Sequence, residues 1–404
     1  MAPQSSAHGE PSLAFDPFSE EVIHGDKYGL YARLRDEAPA SYNPEWDCWA
    51  VSRFEDIWDL CSGDALSAAR GTTTAHLLTK VQPVTPMINS MDPPEHSKLR
   101  GQISRYFMPR RIRALEGYVR EVVTRLLDEL PKEEPFDFVS EFAQPLATAV
   151  GCRVIGLPAE DEAYCRDLVR RFFDRDPDNP GMTEVGLQAM HEMYAYLADI
   201  SRRRRDRPGD EPDPISQLHA WRDPSGAALD DEAIGSHLSL LLNGGTDTLP
   251  KVLANLVLRL QQNPEQREEL RKDPSLAVPA FNEAVRVDMP TQMMGRTISR
   301  DLELHGQPLR EGQPLLLLYA SGNRDEREFE RPEAFDIHRR PPRTLSFSQG
   351  AHACIGLHVA RKEGEVAINE LLRRFPKHRV DESGLEHYAT EFVQGYSRMP
   401  IQLA

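Results

Sequence analysis

Cysteine is scarce in this chain, and what there is does not pair. Cys48, Cys61, Cys152, Cys165 and Cys354 are odd in number, far apart and contain no C-x-x-C. That spacing speaks against a disulfide framework or a structural zinc site and for a reducing compartment, so a cytoplasmic protein is expected. Long apolar runs are missing as well. No stretch reaches the ~18 residues that a membrane helix needs, and residues 1–18 carry Ser and Pro but no signal-peptide core. Positive charge is in deficit: 48 Lys and Arg against 64 Asp and Glu leave the 404 residues at −16. Nucleic acid and anionic membrane are therefore poor partners for the protein as a whole. The basic run 202–205 ends a predicted helix, where cations suit the dipole. There is no internal repeat, no low-complexity linker and no G-x-G-x-x-G opening a helix, so no flavin or nicotinamide module is expected.

What is present is a large apolar fraction in helical spacing. Tyr28, Tyr31 and Leu34 predict a short helix over 27–37, and Trp49-Ala50-Val51 predicts a strand. Residues 66–89 read as a long loop with one helical turn. Asp92-Pro93-Pro94-Glu95 predicts a helix start, an N-cap acid followed by prolines that need no amide partner. Helical patterning then runs to about 286. Strands are expected over 302–318, with His305-Gly306 as a turn. Residues 324–348 are irregular, a helix is expected over 357–375, and strand and turn follow in 386–404. The predicted fold is mainly α with a minor β-sheet region: a loosely held tail, 1–20, then a single unit, 21–404, expected to be monomeric.

The most informative segment runs from Phe347 through Ser348, Gly350, His352 and Cys354 to Gly356. Gly350 permits a turn that a side chain resists. Cys354 stands just before a helix, where free amides and the positive dipole end favour a thiolate. A thiolate is a good axial ligand for haem iron, and Phe347 could shield the sulfur. A cysteine at a helix start is equally compatible with a small core hydrophobe. Upstream, residues 230–262 read as one long helix of ~50 Å interrupted by Asn243-Gly244-Gly245-Thr246-Asp247-Thr248-Leu249-Pro250. Two glycines cost ~1 kcal/mol each and a proline ~3 kcal/mol inside a helix, and Pro250 deprives the Thr246 carbonyl of its hydrogen bond. Such a break is either an ordinary kink or a groove widened for a ligand beside an acid and an alcohol.

The spacing Phe, Gly, basic residue, Cys, Gly resembles the haem-binding signature of the cytochrome P-450 family, with Ser348 where the family usually has Gly. Gly-Gly-x-Asp-Thr resembles the same family's oxygen-binding helix, and Glu283-x-x-Arg286 its Glu-x-x-Arg brace. The resemblance spans roughly 90–400, and more weakly 15–65. It implies a helical prism enclosing haem b, with Cys354 as the iron ligand and Phe347, Gly350 and Gly356 shaping the loop. It makes His96, Arg100, Arg296 and His352 the propionate partners. Arg339 would join the brace, although Arg340 leaves that register open. Asp247 and Thr248 would route protons to dioxygen, the co-substrate.

The implied reaction inserts one oxygen atom into a small, largely apolar molecule by hydroxylation, demethylation or epoxidation. Leu240, Asn243, Gly244, Gln292, Met293, Met294 and Val393 are the expected pocket residues. Asn243 could meet a polar group of the substrate or equally its own backbone or a water. Electrons must come from a separate partner, expected to be a small acidic ferredoxin with its reductase. It would dock near Arg339, Arg340, Arg343, Arg361 and Lys362, with Arg110, Arg111 and Arg113. Two rival readings are a peroxygenase driven by hydrogen peroxide and a non-catalytic haem sensor. Neither needs the Asp247-Thr248 pair.

Overall fold

The computed structural model describes residues 13–81, 86–176, 181–207 and 212–403. Among these, helices dominate and four small sheets accompany them. The organising element is the interrupted helix. Asp230 caps its start by accepting from the Ala233 amide at 2.8 Å, and Asp231 and Glu232 occupy the first turn, where acids suit the dipole. The first segment, Asp231–Thr246, packs on the helices Glu184–Asp206 and Gln144–Ile155. Gly235 makes the first of these contacts: a Cβ there would lie 2.9 Å from the Ala198 amide nitrogen. After Asp247 the second segment, Thr248–Gln262, is buried nearly all round, and its polar stripe of Lys251, Asn255 and Arg259 is taken up by Asp247 and Asp288.

The largest sheet is mixed. Ala40–Asn43 pairs antiparallel with Cys48–Val51, which runs parallel to Pro314–Leu317. That strand pairs antiparallel with Met294–Ile298, and Leu66–Ser67 closes the edge. Phe136–Asp137, Pro400–Gln402 and Arg379–Val380 form a second sheet, and two hairpins complete the set. In one hairpin His305 and Gly306 both take positive φ, the conformation of a tight two-residue turn. Two hydrophobic clusters result, one among the helices and one between the large sheet and the N-terminal helices. No helix among the described residues is long and apolar enough to cross a membrane.

The helix over 27–37 and the strand at 49–51 stand where the pattern put them, and the expected turn in 66–89 is Thr74–Leu77, joined among the described residues by the short strand Leu66–Ser67 and a second turn, Ile88–Ser90. The basic run 202–205 does end a helix, and Arg203, Arg204 and Arg205 pair with Asp199, Asp213 and Asp231. Two local expectations fail. Asp92 does not cap the helix Glu95–Ile103. Its carboxylate accepts instead from Ser67 Oγ and the Ala68 amide, at 2.5 and 2.7 Å. A charged acceptor takes whichever donors the fold brings nearest. The tail is also not loose throughout. Residues 1–12 lie outside the described residues, but Phe15 is fully buried, its amide donates to Ser41 Oγ, and its carbonyl accepts from Asn43.

Candidate active site

The cysteine loop is held by its backbone. The Cys354 amide donates to the Phe347 carbonyl at 2.8 Å, closing the loop on itself. Gly350 has φ +73, and a Cβ there would meet the Cys61 carbonyl at 2.1 Å, so no side chain fits. Ser348 also has positive φ, +59. This is where the family's glycine would sit without strain. Here the serine is held by Tyr319, whose hydroxyl lies 2.7 Å from its Oγ and 3.5 Å from Cys61 Sγ. Tyr319 and Cys61 were not singled out from sequence; nothing in their local pattern marks them.

Cys354 combines two properties that seldom coincide. Protein surrounds it closely enough that burial pushes its thiol up, yet its side chain is accessible. It therefore faces an internal space rather than a packed core. The amides of Gly356 and Leu357, with Arg100 and Arg361, favour the thiolate, but without a metal the net direction is upward, opposite to what the helix start alone predicts. Binding a metal ion reverses that balance, since coordination deprotonates a thiol outright.

Beside the loop stands a cluster of basic side chains. His96 and Arg100 share one face of the helix Glu95–Ile103, and Arg100 donates to the Ala353 carbonyl. The His96 ring stacks on His352 with centroids 4.1 Å apart. Arg296, on the strand Met294–Ile298, donates to its neighbour's carbonyl at 2.7 Å. None of these four has a carboxylate partner among the described residues, and both ring nitrogens of buried His96 lack any partner. Burial, with the nearby guanidinium charges, brings His96 down to about 4 and His352 to about 3. Such a cluster is costly unless anions fill it. Two propionates beside an enclosed, accessible thiol fit these residues.

The helix break falls at Asp247. Cβ atoms built on Gly244 and Gly245 would meet nothing within 4 Å, so this stretch borders open space. The Thr248 hydroxyl donates to the Gly244 carbonyl at 2.7 Å. Asp247 Oδ1 pairs with Lys251 Nζ at 2.5 Å, and its buried Oδ2 has no partner. Lys251 is itself buried, with its ammonium 5.0 Å from the Tyr388 ring. Its i, i+4 spacing from Asp247 was the signal that could have found it.

The Glu-x-x-Arg pair is a buried network. Arg286 donates to both oxygens of Glu283, at 2.8 and 2.7 Å, and to the carbonyls of Asn323, Pro332 and Ala334. Arg339 reaches Glu283 at 3.0 Å, whereas Arg340 bonds only backbone carbonyls. The open register is thus decided for Arg339.

The pocket residues divide. Leu240, Asn243 and Met294 are partly buried, Gly244 is open, and Asn243 Oδ1 has no partner. Gln292, Met293 and Val393 are buried and do not face the open stretch beside Gly244: they are 1%, 0% and 1% exposed. A strand sends alternate side chains to opposite faces. Met294 shares the face of Arg296, and Met293, one residue before the strand, is fully buried. The docking set divides too. Arg343 pairs with Glu55 and Glu328, and Lys362 with Glu116 and Glu365. Arg110, Arg111 and Arg113 are exposed and without a carboxylate partner among the described residues.

The cytochrome P-450 family model matches residues 187–393. Cytochrome P-450 123 of Mycobacterium tuberculosis is 35% identical, the match covering 98% of each chain. Among solved structures, CalO2 superposes with a TM-score of 0.85 at 28% identity, covering 97% of this chain and 99% of that one. A mutant of P-450 EryK, in complex with erythromycin B, does so at 0.84 and 29%, covering 98% of each.

Proposed function

The chain belongs to the cytochrome P-450 family of haem-thiolate monooxygenases, and from that premise we propose that Cys354 ligates haem b while Asp247 and Thr248 manage protons for dioxygen-dependent oxidation of a small, largely apolar substrate. The observation that carries this reading is the enclosed yet accessible Cys354 beside four basic side chains without carboxylate partners among the described residues. When bound, thiolate-ligated haem supplies dioxygen activation and transfer of one oxygen atom. The chain's own residues supply the rest. His96, Arg100, Arg296 and His352 anchor the propionates through charge-assisted hydrogen bonds. Leu240, Asn243, Gly244 and Met294 form the substrate-facing wall.

Because Thr248 already donates to the Gly244 carbonyl, its lone pairs remain free to accept a proton-bearing group. Asp247, tethered to Lys251, is the next stage toward solvent. Positioned acid–base groups contribute roughly 10²–10⁴-fold. Thr248→Ala is therefore expected to keep haem and substrate binding while product formation falls ~10²-fold and hydrogen peroxide is released in its place. Asp247→Asn, and more mildly Lys251→Met, should slow turnover with less leakage. If Thr248→Ala leaves the ratio of product to reductant consumed unchanged, its hydroxyl serves only its own helix. The peroxygenase and sensor readings would then gain.

For electron supply we assign a small acidic ferredoxin with its own reductase. The docking face is narrower than the run of arginines around the cysteine loop. Arg343 and Lys362 are already neutralised and Arg339 is held by Glu283, which leaves exposed Arg340 and, at the start of the helix Pro109–Glu129, Arg110, Arg111 and Arg113. Complementary charge of this kind acts mainly on association rate, and exposed charges are screened by salt. Electron transfer measured by stopped flow should slow as ionic strength rises. Paired Arg110→Glu and Arg113→Glu changes should slow it further, whereas Arg343→Glu should have less effect. A rate indifferent to both salt and these charges places the partner elsewhere.

A further inference from the structure

A cavity of about 310 Å³ lies along the second half of the interrupted helix, away from the cysteine loop. Arg259 and Leu258 come from the helix, Lys27 and Tyr28 from the N-terminal helix, Gln292 from the segment before the strand Met294–Ile298, and Tyr396 from the strand Gln394–Arg398. Its volume is at the lower end of the range for small-molecule sites.

Its charges do not balance. Asp288, which also lines it, takes a bidentate contact from Arg259 at 2.6 and 2.8 Å and a third from Arg324 at 3.3 Å. Arg324 in turn lies 3.5 Å from the Tyr28 ring centroid and pairs with Glu333. Lys27 has no carboxylate within 4.0 Å among the described residues. Its ammonium is bonded to the neutral side-chain oxygen of Gln394. Burial lowers Lys27 to about 8, with the Arg324 charge helping and the Asp288 charge opposing. A part-buried cation without an anion is costly.

A second group is also unmet. Gln292 is 1% exposed, and its amide nitrogen donates to the Met289 and Pro290 carbonyls at 2.5 and 3.3 Å. Those two bonds fix which way the amide points, and they leave Oε1 buried without a donor. Between the two unmet groups, Leu258, Met289 and the Tyr28 and Tyr396 rings supply apolar surface. We propose that this cavity binds a small hydroxycarboxylate with an apolar body, its carboxylate against Lys27 and its hydroxyl donating to Gln292 Oε1.

The site adjoins the substrate pocket assigned above through the chain, Gln292 standing two residues before Met294 of the substrate-facing wall. The Gln292 amide donates to the Phe392 carbonyl, the Gln394 amide donates to the Pro290 carbonyl, both at 2.9 Å, and Thr291 bridges to Val393. A ligand that orders Gln292 and Gln394 also orders this bridge, so the occupant is an effector of substrate binding. Linkage makes the effect reciprocal. This last step rests on the proposed function; binding itself does not, and calorimetry keeps the two apart.

The test uses the haem-loaded enzyme and 4-hydroxybenzoate, with benzoate and 4-hydroxybenzyl alcohol as probes lacking the donor and the charge. Titration calorimetry should give one site per chain and weaker binding for both controls. Lys27→Met should weaken 4-hydroxybenzoate at least ~10-fold, the loss of one charge-assisted contact, and Lys27→Arg should restore most of it. Gln292→Leu should remove the preference for 4-hydroxybenzoate over benzoate. The Soret band should not move on binding, which separates this cavity from the haem pocket. Absence of heat at millimolar probe, equal affinity in Lys27→Met, or a Soret shift that tracks the heat would each overturn the assignment.

Discussion

Cys354→Ser is expected to abolish the strongly red-shifted Soret band of the reduced carbon monoxide complex, the band for which the family is named, and to take monooxygenase turnover to background. A serine hydroxyl does not ionise near neutral pH and cannot supply the electron density that a thiolate gives to haem iron. The variant should still take up haem. His96, Arg100, Arg296 and His352 do not depend on the sulfur for their positions, and the loop is closed by the Cys354 backbone amide rather than its side chain. Pyridine haemochrome content near that of the wild type, together with loss of the band, is the combined signature. If the band survives, the ligand is another residue. If haem is lost completely, the basic cluster is not the anchor described above.

Glu283→Ala should be among the most destabilising single changes in the chain. Glu283 is 2% exposed and receives Arg286, itself 1% exposed, together with Arg339. Removing one partner of a buried pair leaves the other charge uncompensated, at a cost of about 3–5 kcal/mol. Against a total stability of roughly 5–15 kcal/mol, that is enough to reduce the folded, haem-loaded fraction sharply. Arg286 also ties together the carbonyls of Asn323, Pro332 and Ala334, in a segment without helix or strand. Its release should loosen the approach to the cysteine loop. Urea unfolding followed by the Soret band and by far-ultraviolet dichroism measures this. Arg340→Ala, whose guanidinium bonds only nearby carbonyls, should shift the midpoint little. Equal midpoints for Glu283→Ala and Arg340→Ala would mean that the network does not brace the fold.

Much of this was legible in the chain because it is local. Helical spacing placed the long helix, and Gly244, Gly245 and Pro250 marked where it breaks. Gly350 marked the turn before Cys354, since only a residue without Cβ fits against the Cys61 carbonyl. The i, i+3 spacing of Glu283 and Arg286 made their pairing possible within one helix. Their burial was not local information. It comes from three carbonyls and Arg339, which lie tens of residues downstream.

The expectations that changed share one cause. Asp92 has the sequence of a cap but gives its carboxylate to Ser67 and Ala68. The arginine and lysine run near the cysteine loop reads as free positive charge, yet Arg343 and Lys362 are neutralised by Glu55, Glu328, Glu116 and Glu365. Met293 and Met294 are indistinguishable in sequence, yet Met293 is fully buried while Met294, on the strand face of Arg296, is partly exposed. By itself the sequence determined the elements, the break, the thiol-bearing loop and the family, because backbone propensity and motif spacing act over a few residues. The tertiary structure alone decided which charges are paired, that Lys251 holds Asp247, and that Lys27 and Gln292 line one cavity. Coulombic and hydrogen-bond partners are chosen by proximity in space, which chain order does not encode.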